Sequence, residues 1–167
     1  MGKVLKMSEE KLKYSDRIIK TEEHDNLLQE AAVQLQNTGT LSVSNRVVLM
    51  GIVRNGVGYE SFERLLSKYP FSIEEWSEFL HLSERTLQRY KKNGTSFDSL
   101  QSERILQITL LYQRGVEIFG NKDNFDIWLN TTSIALGKIK PKELLDNSFG
   151  ISLLEDELTK IEHGVLA

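Results

Sequence analysis

An all-helical fold is what this sequence predicts, and three observations carry the prediction. Apolar residues recur at spacings of three and four through most of the 167 residues, while segments with the alternation of a strand are few. Only two prolines occur, and Pro70 and Pro141 stand where one helix would stop and another would start. Capping serines precede two of the periodic runs, at Ser72 and Ser83.

Bulk properties agree with a compact protein of one domain or two small ones. The chain is 40% hydrophobic and 27% charged, with a mean hydropathy of -0.33, which supplies a core and argues against wholesale disorder. With no cysteine, disulfides and thiolate metal sites are excluded. The longest apolar run, Val47-Val48-Leu49-Met50-Gly51-Ile52-Val53, falls far short of the ~20 residues a membrane span needs. The first residues lack a secretory apolar region, so the expected location is the cytoplasm, with no membrane partner.

In chain order, residues 1–22 are polar and charge-rich, a loose arm. Leu27, Leu28, Ala31, Ala32 and Leu35 mark a short amphipathic helix, and Asn37-Thr38-Gly39-Thr40 breaks it. An arm with one short helix therefore occupies 1–39. Helical runs follow at about 45–54, stopped by Asn55-Gly56, and at 59–68, with Phe62, Leu65 and Leu66 inward. Tyr69-Pro70 ends the second, because the residue before proline disfavours the helical region. Ser72-Ile73-Glu74-Glu75 forms a capping box for a helix carrying Ile73, Trp76, Phe79 and Leu80. Ser83 caps a helix through Lys92 that Asn93-Gly94 ends. A long helix spans 100–119, with Ile105, Ile108, Leu111 and Tyr112 on its apolar stripe, before Gly120-Asn121-Lys122. Phe125, Trp128 and Leu129 share the face of another. Pro141 opens a short helix, and the last one covers 152–162, with Leu154, Leu158 and Ile161 at i, i+4 and i+7. Gly164 is the natural residue for leaving it.

Net charge is -3 but unevenly placed. Residues 84–92 carry a local +3 and residues 141–167 a local -4, a division that suits two different partners. Ser72 to Lys92 has the anatomy of a helix-turn-helix: a capped helix, a tight turn and a second capped helix. In the second helix Leu87 and Tyr90 would face inward, and Arg85, Gln88, Arg89 and Lys92 outward. Arginine can donate two hydrogen bonds to guanine, glutamine can pair with adenine, and lysine neutralises phosphate.

The stretch Leu82-Ser83-Glu84-Arg85-Thr86-Leu87-Gln88-Arg89 resembles the helix-turn-helix of the MbcA/ParS/Xre antitoxins, whose motif runs "is-x-RTL-x-R". That family often ends the motif with two adjacent basic residues; here Arg89 is followed by Tyr90. The last 43 residues resemble the family's toxin-binding domain. The likeness rests on Phe125-Asp-Ile-Trp128-Leu129, on Leu136-Gly137-x-x-x-Pro141-x-Glu143-Leu144-Leu145-Asp146, and on Phe149-Gly150-Ile151. It continues through a helix ending Asp156-Glu157-Leu158-x-x-Ile161 and the tail Glu162-His163-Gly164-Val165-Leu166-Ala167.

What the resemblance implies is an Xre-like helix-turn-helix domain at 40–105, which dimerises and binds operator DNA, followed by a small helical toxin-binding domain at 106–167. The implied partners are a RES-domain toxin that acts on NAD, operator DNA and a second copy of the chain. The antitoxin's C-terminal segment would cover the toxin's active-site entrance. Candidate DNA-binding residues are Ser83, Arg85, Thr86, Gln88, Arg89, Lys91 and Lys92. Candidate toxin-binding residues are Trp128, Glu157, Ile161, Glu162, His163, Gly164, Val165, Leu166 and Ala167. Gly164 permits a sharp exit, and a short apolar peptide with a terminal carboxylate suits a pocket built for an anionic cofactor. A stand-alone transcription regulator whose C-terminal part only oligomerises is the alternative reading.

Enzymatic constellations do not assemble, and no cofactor or metal is expected. Gly51-x-x-x-x-Gly56 lacks the lysine and hydroxyl of a phosphate-binding loop, with Val57 and Gly58 in their places. His24, His81 and His163 are too scattered for a helical metal pair. No serine sits in a Gly-x-Ser-x-Gly elbow.

Overall fold

The computed structural model describes residues 42–164. The arm with its short helix, and Val165, Leu166 and Ala167 of the tail, lie outside the described residues. Seven α-helices stand in order: α1 (Val43–Asn55), α2 (Tyr59–Lys68), α3 (Ile73–Phe79), α4 (Glu84–Asn93), α5 (Ser99–Ile118), α6 (Lys122–Asn130) and, after a 3-10 turn at Pro141–Leu144, α7 (Ser148–Glu162). Pairing in the β sense is confined, among the described residues, to isolated bridges at Gly58–Ser96 and Ser133–Ile139. The fold is all-helical, as the periodicity predicts.

Local chemistry sets nearly every helix start. Ser42, Ser72, Ser83, Asp98, Asn121 and Asn147 each accept a hydrogen bond from the amide three residues on, which satisfies a donor that the first turn leaves orphaned. The box at Ser72 and Glu75 is complete in both directions, and Asp98 with Gln101 makes a second one. Gly51 lies inside α1, which removes any remaining likeness to a phosphate loop.

One boundary differs from expectation. The last helix begins at Ser148 rather than 152, because Asn147 caps it and Phe149-Gly150-Ile151 form its first turn. Gly150 makes that start possible: a Cβ there would run into the Leu144 carbonyl of the 3-10 turn.

α5 is the central element and packs against α1, α6 and α7. Around its first half lie Phe62, Trp76, Leu87 and Phe97, with Phe62 edge-on to Trp76 at 5.1 Å and to Phe97 at 4.9 Å between ring centres. Phe71 meets Tyr112 at 5.8 Å, and Tyr112 meets Phe125 at 5.2 Å, so aromatic packing continues into the C-terminal half. Gly115 leaves room for the Phe125 ring against α5, where any side chain would collide with it. The domain boundary expected between 105 and 106 thus falls inside one helix, between two buried residues of a shared core, Ile105 and Leu106.

Candidate functional site

α3, the following turn and α4 form the basic site. Tryptophan 76 and Phe79 bury one face of α3, and Leu87 anchors α4 with no exposure. Between them the chain turns on His81, whose φ of 52° is left-handed and unusual for a side chain with a Cβ. The turn is held by Leu82 N–H donating to Ser77 O at 2.9 Å. At the far end Gly94, with a φ of 60°, stops α4, and Thr95 N–H donates to Tyr90 O. Tyr90 is half-buried and stacks near Phe97, so it faces inward as its position in the pattern predicts.

The outward face then divides into free and engaged side chains. Arg85, Gln88, Arg89 and Lys92 are exposed, and the three cations form no ion pair among the described residues. Ser83 and Thr86 are used internally: the Ser83 hydroxyl caps α4 and lies 2.9 Å from the Thr86 hydroxyl. Lysine 91 reaches back to Glu63 on α2, and accepting its hydrogen bond, the Glu63 carboxylate raises the ammonium's pKa. Four of the seven candidates therefore present polar groups to solvent, with Arg89 lying 6.0 Å over the Tyr90 ring. The other three stay near the site, with their groups already occupied.

Structure reveals a residue the sequence pattern did not select. His81 Nε2–H donates to the Asp146 carbonyl at 2.9 Å, so the turn between α3 and α4 is pinned by the segment leading into α7. Lys142 on the 3-10 turn pairs with Glu75 on α3 at 2.6 Å, and Arg104 reaches Leu145 O at 3.4 Å. The cleft between these segments is lined by Glu78, Glu143 and Asp146. That acidic cleft lies apart from the outward face that carries Arg85 and Arg89.

At the C-terminal site, α7 buries Ile151, Leu154 and Leu158 against α5. Glu157 is buried too, only 6% exposed, and pairs with Lys160 at 3.1 Å. Glu157, expected among the toxin-binding residues, is thus largely buried in this structure with its carboxylate already on Lys160. Trp128 is half-buried, stacked on Phe125 at 5.5 Å and tilted against Phe119 at 5.4 Å, with only an edge outside. Ile161 is half-buried. Glu162 is held by Arg114 of α5 at 2.9 Å, and the same guanidinium donates to Thr159 Oγ1 at 2.9 Å. His163 and Gly164 are exposed, and Gly164 leaves the helix at a φ of 66°. The end of α7 is thus clamped one residue before its exit.

Comparison with known proteins finds two family matches in succession along the chain. Residues 48–109 match the antitoxin Xre-like helix-turn-helix domain, and residues 114–164 match the antitoxin Xre/MbcA/ParS C-terminal toxin-binding domain. A protein of Yersinia enterocolitica named antitoxin Xre is 29% identical over 128 residues, covering 76% of this chain and 86% of that one. A Sphingobium protein named Prs ADP-ribosylating antitoxin is 26% identical over 127 residues, covering 71% and 80%. An antitoxin Xre of Photorhabdus laumondii is 25% identical over 104 residues, covering 57% and 70%.

Proposed function

Because the chain belongs to the Xre/MbcA/ParS family of antitoxins, with its helix-turn-helix and toxin-binding domains in order, we propose that it neutralises a RES-domain toxin that consumes NAD. It does so by steric occlusion and without catalysis of its own. As a homodimer bound to operator DNA, it also represses its own operon. Residues 1–39 are an accessory arm, 40–105 read DNA and dimerise, and 106–167 bind toxin.

The clamp at the end of α7 is the observation that carries occlusion. Arg114 fixes Glu162 at the end of α7, and Gly164 bends the backbone out of the helix at a φ of 66°, which supports a tail role for the residues that follow. Val165, Leu166 and Ala167 supply small and apolar side chains for the toxin's entrance, next to the acidic end of α7. The name of the Sphingobium relative points to ADP-ribosyl chemistry, which also draws on NAD.

The test is NAD consumption by the purified toxin encoded beside this gene. Removing residues 163–167 keeps the Glu162–Arg114 pair, so the shortened protein should fold and bind operator DNA as before. Its inhibition constant should rise ~100-fold or more, because the pocket entrance is left open. Equal inhibition by both forms would place occlusion elsewhere.

A further inference from the structure

α7 has an outer face that carries two exposed apolar side chains. Phe149 is 88% exposed in its first turn, and Leu153, one turn on, is 43% exposed. Asp156, Lys160 and His163 continue the series and are exposed. At about 100° per residue, these five positions fall within roughly 40° of a single line along the helix. The opposite line holds Ile151, Leu154 and Leu158, all in the core. Phe149 therefore shares its face with the point where the chain leaves α7.

We propose that this stripe is a second docking surface for the same toxin, with Phe149 and Leu153 as its apolar anchor. The inference rests on the antitoxin reading above and adds where the toxin body sits. Both anchors belong to the segment that matches a toxin-binding domain, 114–164. From residue 149 to residue 163 the rise is about 21 Å at 1.5 Å per residue. That length fits inside one ordinary interface of about 800 Å² per partner. A protein whose pocket receives the tail would lie along this face, with an apolar depression for the phenylalanine and a polar rim for Asp156 and Lys160. The tail would inhibit and the stripe would hold.

The experiment uses the full-length chain and the toxin encoded beside its gene, measured by biolayer interferometry. A Phe149→Ser, Leu153→Ser double variant should raise the dissociation constant ~30-fold or more, as loss of a central apolar anchor does. Its operator affinity should not change and its melting temperature should fall by only a few degrees, because Phe149 is 88% and Leu153 43% exposed. Leu100→Ser removes a leucine that is 68% exposed on α5 and should change nothing. The chain lacking residues 163–167 should keep most of its toxin affinity while losing inhibition, since Phe149, Leu153, Asp156 and Lys160 of the stripe remain. Toxin affinity within about twofold of the native chain for the double variant would overturn the proposal. So would unchanged toxin affinity with a smaller assembly in light scattering, which would give the stripe to a second copy of the chain. If the native chain itself fails to bind the toxin, the antitoxin reading fails first and the stripe falls with it.

Discussion

α4 and α7 are both amphipathic helices bounded by good caps, yet they handle charge in opposite ways. In α4 one residue, Leu87, is buried, and Arg85, Arg89 and Lys92 project with no ion pair among the described residues. In α7 five residues are buried, one of them a glutamate, and Glu157 and Glu162 are engaged by Lys160 and Arg114. A DNA-reading helix works by offering unengaged donors on a rigid rod, and the groove supplies their partners. In α7, Glu162 ties the helix end to α5 through Arg114, while Glu157 pairs within the helix. Charged side chains are therefore left mostly to solvent on α4 and drawn partly into the fold on α7.

The largest effect should come from stripping α4. Replacing Arg85 and Arg89 with alanine should weaken operator binding by about 2–6 kcal/mol, since each good base contact contributes about 1–3 kcal/mol. Thermal stability and toxin neutralisation should stay unchanged, because both side chains are exposed and α7 lies elsewhere in the chain. Fluorescence anisotropy with operator DNA measures the first and a melting curve the second. An unaltered operator affinity would dissolve the contrast between the two helices.

Next comes the seat of α7. Gly150→Val would push a side chain into the Leu144 carbonyl and should destabilise the fold by about 3 kcal/mol, a drop of roughly 6–12 °C in melting temperature. α4 has no such dependence at its start, where losing the Ser83 cap by mutation to alanine should cost only about 1 kcal/mol. Equal costs for the two variants would mean that α7, like α4, is positioned locally.

The smallest effect sharpens α4 itself. Lys92→Ala should lower the salt dependence of DNA binding by about one ion per protomer. Lys91→Ala should lower it less, because the Glu63 pair must open before that ammonium meets a phosphate. The measurement is the slope of log affinity against log salt for each variant.

The sequence by itself determined the helices, the helix-turn-helix and the outward basic face. These follow from hydrogen bonds and apolar contacts that reach three or four residues, as at Ser72–Glu75, Ser83–Thr86 and the Leu87 position. Such spacings are visible along the chain because the helical repeat puts those residues side by side. The start of α7, expected at 152 and found at 148, follows from the Asn147 cap and from the room Gly150 leaves beside the Leu144 carbonyl. Only the tertiary structure decided which charged residues remain unengaged. Lys91 meets Glu63 across 28 positions, Arg114 meets Glu162 across 48, and His81 meets Asp146 across 65. Those pairs are made by how α2, α5 and α7 pack around one core, and no periodicity in the chain encodes which surface charges that packing brings within reach.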